Sequence, residues 1–258
     1  MQIKIPLPAK ATGSHFYHYA NAEHLEWLKV IILDNELYLP SLTQLNDPAD
    51  GRPRLSPMSE DQMFSFLSED LGRRNPHMTS DALQKEAAII RYNIRHHGTE
   101  VLQQIMASLL STELAGYRIY SLSKHYDNMV LWGTYAAGHT GYCLEFANEG
   151  PLFERAHEVT YGDFELGIAD PELRTGLFFF CKTKPWSYEE EIRLVLPRGK
   201  GCKVKIEPRW LTRVILGKEM SEANRKLVRE WARQRDPALV VVTARYDELH
   251  QRLTLDAD

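Results

Sequence analysis

Hydrophobic and polar residues alternate in many short segments of this chain, a pattern typical of β-strands with one buried face. The alternation occurs near the N-terminus and throughout the second half of the sequence. It predicts strands at 15–19, 36–39, 117–123, 141–146, 158–161, 189–196, 202–206, 213–216, 239–245 and 252–255.

Hydrophobic residues spaced three or four positions apart predict helices in the intervening segments. Leu25, Leu28 and Ile32 follow this spacing in the first of them. Between residues 59 and 114 helical spacing dominates, and turn residues at 72–76 and 96–98 divide it into three expected helices. Further helices are expected at 22–33, 129–137, 171–182 and 222–234.

Strands at both ends of the chain, with helices clustered between them, indicate an α+β fold. We expect residues 1–258 to form a single domain around one mixed, mostly antiparallel sheet with flanking helices. The helical segment 59–114 is expected to be an insertion or lid within that domain.

Composition narrows the classes of partner. The 258 residues are 43% hydrophobic and 26% charged, which suits a soluble globular protein, and a net charge of −4 gives no general attraction to nucleic acid or anionic lipid. The three cysteines, Cys143, Cys181 and Cys202, form no pair with metal or disulfide spacing. No apolar run approaches the ~20 residues that span a bilayer. We therefore expect a cytoplasmic protein without a membrane partner.

The predicted strand at 189–196 carries the strongest candidate chemistry. Its hydrophobic residues alternate along one face, so the opposite face presents Glu189, Glu191 and Arg193 in a row. Two carboxylates beside a guanidinium are suited to a reactive site. The same row is also typical of a solvated sheet face, where such ion pairs contribute little to stability.

A loop at 45–51 follows an early strand and contains Asn46, Asp47 and Asp50. Because Asp47 precedes a proline, its backbone is restricted to extended conformations, and the loop can present these side chains to a ligand. The alternative is a turn that only reverses the chain. Asp47 and Asp50 are accompanied by no set of ligands with metal-binding spacing, so no metal is predicted.

Histidine and tyrosine residues supply further candidates. His139 lies in a turn between Gly138 and Gly141, where it could bind a ligand, transfer a proton or cap the preceding helix. Tyr135 on that helix needs a partner for its hydroxyl group. His18 on the first strand is a candidate ligand-binding residue, with a structural role as the alternative.

Several of these motifs occur in an order that resembles one bacterial family, known as domain of unknown function 2971. The resemblance covers residues 15–217 and rests on an Asn-Asp-Pro loop, a Met-x-x-Trp helix and a Trp-x-Tyr-Glu-x-Glu-x-Arg strand, namely Asn46–Pro48, Met129–Trp132, Tyr135, His139, Lys182 and Trp186–Arg193. Ala49 and Ile192 depart from the residues usual at those positions. The resemblance implies a toxin or an antiphage defence effector, with a possible cognate antitoxin.

The order of motifs is also similar to that of the His-Tyr-Glu class of ADP-ribosyltransferases. That resemblance implies NAD as the substrate, with His18 on the adenosine-side ribose, Tyr135 stacked on nicotinamide and Glu191 bound to the other ribose. Tyr120 and Tyr126 are the alternatives to Tyr135. Arg193 would keep Glu191 ionised, and Glu189 could polarise a hydroxyl group. Asn46, Asp47, His139 and Trp186 are the further expected nucleotide contacts.

The sequence thus leads to one main functional hypothesis and two alternatives. The main hypothesis is NAD-dependent ADP-ribosyl transfer or NAD cleavage, with a protein or nucleic acid as the unknown acceptor. The first alternative is a non-catalytic sensor of a nucleotide-like ligand in a defence system. The second is a metal-dependent nuclease that uses Asp47, Asp50 and Glu191.

Overall fold

A computed structural model describes residues 5–47, 49–51, 54–166, 176–197, 201–235 and 237–257. Within these ranges the strands, in chain order, are β1 (His15–Ala20), β2 (Glu36–Tyr38), β3 (Arg54–Leu55), β4 (Arg118–Ser123), β5 (Tyr142–Ala147), β6 (His157–Glu158), β7 (Thr160–Tyr161), β8 (Glu165–Leu166), β9 (Cys181–Lys182), β10 (Glu191–Leu196), β11 (Lys203–Lys205), β12 (Leu211–Leu216), β13 (Val240–Asp247) and β14 (Arg252–Ala257).

The largest sheet among the described residues has eight strands in the order β14-β13-β12-β5-β1-β4-β10-β6. All neighbours in it are antiparallel except β12 and β13, which are parallel. Three two-stranded sheets accompany it, pairing β2 with β11, β3 with β8, and β7 with β9. The predicted α+β class with a mostly antiparallel sheet is therefore confirmed.

The described helices are α1 (Leu25–Asp34), α2 (Glu60–Arg74), α3 (Ser80–Leu114), α4 (Met129–Thr134), α5 (Gly150–Phe153) and α6 (Glu222–Gln234). Side-chain caps lie at the starts of four of them, α2, α3, α4 and α6, where Thr79 accepts the Ala82 amide at α3 and Ser221 accepts the Asn224 amide at α6. Ser59 and Gln62 form a reciprocal capping box at α2, and the Asn128 side chain accepts two backbone amides at α4. Helices α1 and α6 pack against each other and contribute buried residues to one core.

The helical segment 59–114 contains α2 and, within α3, two helical stretches on either side of Gly98, which agrees with the three predicted helices. The expected break at 96–98 is a kink inside α3, because Gly98 adopts φ 75° and ψ 161° while helical residues continue on both sides. Glycine adopts this backbone conformation without steric cost. Helices α2 and α3 pack against each other. The single-domain assignment of residues 1–258 stays a prediction.

Two predictions of local structure were wrong. The expected helix at 171–182 lies partly outside the described residues, and its described part is a 3-10 turn at Leu177–Phe180 followed by β9. Glu189 does not belong to the strand of Glu191 but ends a 3-10 segment, Lys184–Glu189. Glu190 separates the two with a left-handed backbone at φ 43°.

The large sheet buries hydrophobic residues on both faces. One face packs against α1 and α6 through residues such as Phe16, Leu144 and Ile192. The other face holds two smaller hydrophobic clusters, one around Trp132 and one around Phe178 and Phe179. Among the described helices, none is both long enough and apolar enough to cross a membrane.

Candidate functional site

Arg193 is the centre of a buried group of charges on the second face of the sheet. Its side chain is fully buried, and all five of its N–H groups donate hydrogen bonds. Two bonds of 2.6 and 2.8 Å reach Glu191, two of 2.7 and 2.5 Å reach Asp50, and one of 2.7 Å reaches the Phe179 carbonyl. This geometry holds two carboxylates from distant parts of the chain against one guanidinium.

Lys182 brings a third carboxylate into the group. Its Nζ lies 2.6 Å from Glu189 Oε2, 3.4 Å from Glu191 Oε2 and 3.6 Å from Asp50 Oδ2. Burial lowers the pKa of Lys182, but Glu191, Asp50 and Glu189 outweigh burial and leave that pKa raised. Lys182 is therefore an ammonium ion at neutral pH. We call the set of five buried side chains the charge cluster: Asp50, Lys182, Glu189, Glu191 and Arg193.

The two glutamates of the charge cluster have opposite pKa shifts. Burial raises the pKa of Glu189, and Lys182 and Tyr135 oppose that rise only in part. Burial also acts to raise the pKa of Glu191, but the Arg193 guanidinium outweighs it and the pKa is lowered. With three acids against two cations, the cluster carries one excess negative charge when every group is ionised. Of these two glutamates, Glu189 is thus the one in which protonation is easier.

A chain of hydrogen bonds joins the charge cluster to the protein surface. The Tyr135 hydroxyl donates to Glu189 Oε1 at 2.6 Å and accepts from the Asn46 amide at 2.9 Å. The indole ring of Trp186 lies 4.7 Å from Nζ of Lys182, a cation–π distance. Asn46 is exposed, whereas Tyr135 and Trp186 are half-buried. We call these three residues, Asn46, Tyr135 and Trp186, the rim.

Six of the sequence-predicted site residues therefore meet in one place: Glu189, Glu191, Arg193, Asn46, Tyr135 and Trp186. The face of β10 that carries Glu191 and Arg193 is buried and not solvated, since Glu191 is 3% exposed and Arg193 is 0% exposed. Buried ion pairs of this kind are costly unless their hydrogen bonds are satisfied. The interpretation as a surface ladder is wrong.

Asp47 lies beside the charge cluster and not within it. Its Oδ1 accepts the Ala49 amide at 2.9 Å, and its own amide donates to Asn46 Oδ1 at 3.0 Å. These bonds form the turn that was the alternative explanation of the loop. The turn carries Asn46 towards Tyr135 and Asp50 towards Arg193.

His18 lies on the opposite face of the sheet. Tyr17 is paired with Ser123, and Ser123 is paired with Glu191, so these three share a face and His18 does not. The His18 ring stacks on Tyr120 at 4.5 Å. Its Nδ1 donates to the Ser121 carbonyl at 2.9 Å, and burial lowers its pKa, so the ring is neutral. The predicted placement of His18 in one pocket with Tyr135 and Glu191 is wrong.

His139 is also separate from the charge cluster. It has a left-handed backbone at φ 67°, and its ring lies parallel to Trp132 at 5.7 Å. Its amide donates to the Trp132 carbonyl, and its carbonyl accepts the Glu219 amide. Burial, followed by Lys218, lowers the pKa of His139. These contacts match the predicted alternative of a residue that ends a helix.

Asp50 and Lys182 are the functional residues to which sequence reasoning gave too little weight. Asp50 was considered only as a loop residue and a metal ligand, and Lys182 only as part of the family resemblance. Both are 6% exposed or less, and both contact two or more charged partners. Their presence at conspicuous motif positions was the available signal, because Asp50 lies 132 positions from Lys182 and 143 positions from Arg193 along the chain.

Among the described residues, no three or more His, Cys, Asp or Glu side chains are grouped so that they could hold a metal ion. Asp50 and Glu191, two of the three acids considered for a nuclease, bind Arg193 instead. Comparisons with models of protein families, with curated proteins and with solved structures find no match to this chain.

Proposed function

We propose that this chain binds a nucleotide-like ligand, in the first place NAD, at the rim, and cleaves or transfers it at the ribose carbon bonded to nicotinamide. The observation that carries the proposal is the position of Glu189. This buried carboxylate contacts the hydroxyl group of the half-buried Tyr135 and the ammonium group of Lys182, which in turn lies 4.7 Å from the half-buried Trp186 ring.

Glu189, and not Glu191, is the carboxylate assigned to the reaction. Both oxygens of Glu191 accept bonds from Arg193, and its backbone amide donates to the Tyr161 hydroxyl at 2.8 Å. Glu191 is therefore committed to holding the site together. Glu189 is linked instead to the surface through Tyr135 and Asn46. A ligand that replaces Asn46 as the partner of the Tyr135 hydroxyl group is therefore separated from Glu189 by that hydroxyl group alone.

The aromatic rim suits the flat rings of a nucleotide. Tyr135 and Trp186 are both half-buried and have rigid side chains, so they can stack on a base or on nicotinamide at low entropic cost. Asn46 can donate to a carbonyl or a hydroxyl group of the ligand. Lys182 lies below Trp186 and adds positive charge close to the ligand.

In the proposed reaction the bond between the ribose carbon and the nicotinamide nitrogen breaks. Nicotinamide leaves with the bonding electron pair and becomes neutral, while positive charge develops on the ribose. An ionised Glu189 stabilises this charge electrostatically. Water or an acceptor nucleophile then bonds to the ribose carbon and releases a proton, which Glu189 accepts in this proposal.

The likeness to His-Tyr-Glu ADP-ribosyltransferases supports this proposal only through its tyrosine, because the glutamate that it implies is Glu191 and the glutamate assigned to the reaction is Glu189. His18 faces the other side of the sheet, so no role of that histidine is carried over. An ADP-ribosyltransferase-like fold, membership of domain of unknown function 2971 and a role as a toxin or defence effector are parts of the same proposal.

Incubation with NAD labelled in the nicotinamide ring tests the reaction. We expect the wild type to release nicotinamide and Glu189→Gln to reduce release at least a hundredfold, since one electrostatic contact to a transition state is worth about 10²–10³ in rate. Glu190→Gln is the matched control, because Glu190 is exposed and pairs only with His125 among the described residues. Equal release by wild type and Glu189→Gln counts against the assignment.

A non-catalytic nucleotide sensor is the second candidate, and one observation favours it. Every charged group of the charge cluster already has a partner of opposite sign, so the cluster is complete before any ligand binds. A preformed site of this kind can bind without chemistry. NAD binding with no release of nicotinamide in the presence of cell lysate supports the sensor over the enzyme.

A further inference from the structure

The two edges of the large sheet differ in length. One edge is β6, which has only two residues. The other is β14, which pairs with β13 at all six of its residues. Among the described residues, no strand pairs with the outer side of β14. An edge strand of this length presents a row of backbone N–H and C=O groups with which another strand can pair.

The sequence of β14 leaves that edge open to a partner. The strand contains neither proline nor lysine, and its register with β13 is continuous, without a bulge. Leu253 and Leu255 lie on the face of the sheet that holds the cluster around Trp132. Leu253 is buried there, whereas Leu255 is half-buried. A strand added beside β14 would cover the apolar surface that Leu255 still exposes.

The charges of β14 are arranged symmetrically about its middle. Arg252 and Asp256 lie two residues on either side of Thr254, on the face opposite the two leucines. Two antiparallel β14 strands can be related by a two-fold axis at Thr254. Arg252 of each copy then lies opposite Asp256 of the other, and Leu253 lies opposite Leu255. The strand is therefore complementary to itself in both charge and hydrophobicity.

Charge also selects this register over its neighbours. An axis at Arg252 or at Asp256 would place two like charges directly opposite each other, which is destabilising. Within one copy, Asp247 is paired with Arg252 across the strands, and Arg245 binds Asp256 at 2.5 Å. The axis at Thr254 joins these two pairs into one row in which the charges alternate in sign from copy to copy. The Asp256 side chain is 47% exposed, so it remains accessible to the second copy.

We infer that β14 is the interface of a two-fold symmetric dimer, in which the eight-stranded sheets of two copies of this chain join edge to edge. Each copy offers one long edge in the described sheet, so the assembly closes at two copies. The inference does not rest on the proposed function, because the rim and the charge cluster lie on other elements.

Sedimentation of the whole protein tests the inference. We expect the wild type to approach the mass of two chains as its concentration rises from about 1 to about 100 µM. Arg252→Glu sets two acids opposite each other on both sides of the axis, and Asp256→Lys sets two bases opposite each other. Each variant alone should dimerise at least about tenfold more weakly than the wild type.

A mixture of the two variants is the sharpest arm of the experiment. When a copy with Arg252→Glu meets a copy with Asp256→Lys, both pairs of charges across the axis are again of opposite sign. An equimolar mixture should therefore form the dimer that neither variant forms alone. Arg209→Glu is the control, because it reverses an exposed charge outside the large sheet and should dimerise as the wild type does.

Hydrogen exchange of the wild type locates the interface without any substitution. The amides of residues 252–257 should exchange more slowly at about 100 µM than at about 1 µM, because pairing with a second strand protects them. A wild type that stays monomeric over this range, or exchange in β14 that does not change with concentration, would overturn the inference. A mixture that dimerises no more strongly than the separate variants would do the same.

Discussion

Replacement of Arg193 by methionine is the strongest test of how the charge cluster is held together. The substitution removes five hydrogen bonds from a fully buried position and leaves Glu191 and Asp50 without their guanidinium partner. Lys182 remains, but at 3.4 Å and 3.6 Å from these carboxylates it cannot replace the forked contacts.

The expected loss of unfolding free energy is about 3–5 kcal/mol, the cost of removing one partner from a buried ion pair. A loss of that size is a large part of the ~5–15 kcal/mol that stabilises a typical domain. Urea denaturation followed by circular dichroism measures it. Arg245→Met is the control, because Arg245 is 68% exposed and its pair with Asp256 should contribute no more than about 1 kcal/mol.

A second step identifies the cause of the loss. In Arg193→Met, the additional changes Glu191→Gln and Asp50→Asn remove the uncompensated charges and should restore part of the stability. If Arg193→Met costs no more than Arg245→Met, or if neutralising both acids restores nothing, the reasoning about buried charge is refuted.

Three further predictions concern the two glutamates and one backbone contact. The pKa of Glu191 in the folded state lies below its ordinary value of 4.5, so the unfolded state binds more protons at this residue. The stability of the wild type should therefore fall as the pH drops below 4.5. The urea midpoint of Glu191→Gln should change less over the same pH range. Tyr135→Phe removes a bond that lowers the pKa of Glu189, so NMR titration should show that pKa higher than in wild type, and an unchanged value would contradict the contact. Gly217→Ala places a Cβ 2.0 Å from the His139 carbonyl oxygen, so thermal unfolding should show a loss of at least about 1–3 kcal/mol in the free energy of unfolding. At Gly133 an added Cβ meets nothing within 4 Å, so Gly133→Ala should leave the free energy of unfolding undiminished.

The sequence predicted the strands that position the site because their hydrophobic alternation is local. Residues 15–19, 141–146 and 192–196 show this pattern and form β1, β5 and β10. The segment 177–180 was harder to predict, because four consecutive hydrophobic residues fit a helix or a strand equally. Its 3-10 turn places Phe178 and Phe179 in a core with Leu42 and Ile119, which are distant in sequence.

The sequence predicted which types of residue form the candidate site. It did not predict which of these residues contact one another. The wrong placement of His18 illustrates why. Alternation within one strand shows which of its residues lie on the same face. Which residues of a neighbouring strand lie on that face too depends on the register between the two strands. That register pairs Tyr17 with Ser123, which no local pattern in either strand specifies.

The charge cluster depends on long-range contacts in the same way. Spacing along the predicted strand identified Glu189 and Glu191 beside Arg193, but only Glu191 binds it. The second acid, Asp50, lies 143 positions away along the chain. The turn at Asp47 places Asp50 against Arg193. The residues that predict a turn do not indicate which distant residue the turn will contact.

Binding of NAD to the rim tests the central claim most directly, because the enzyme and the sensor both require it. Calorimetry should show NAD binding to the wild type, and Trp186→Ala should weaken it roughly tenfold or more, the loss expected when one aromatic stack is removed. Trp27→Ala, at an exposed tryptophan on α1, should bind as the wild type does. No detectable binding of NAD to the wild type, or equal binding by wild type and Trp186→Ala, would contradict the account.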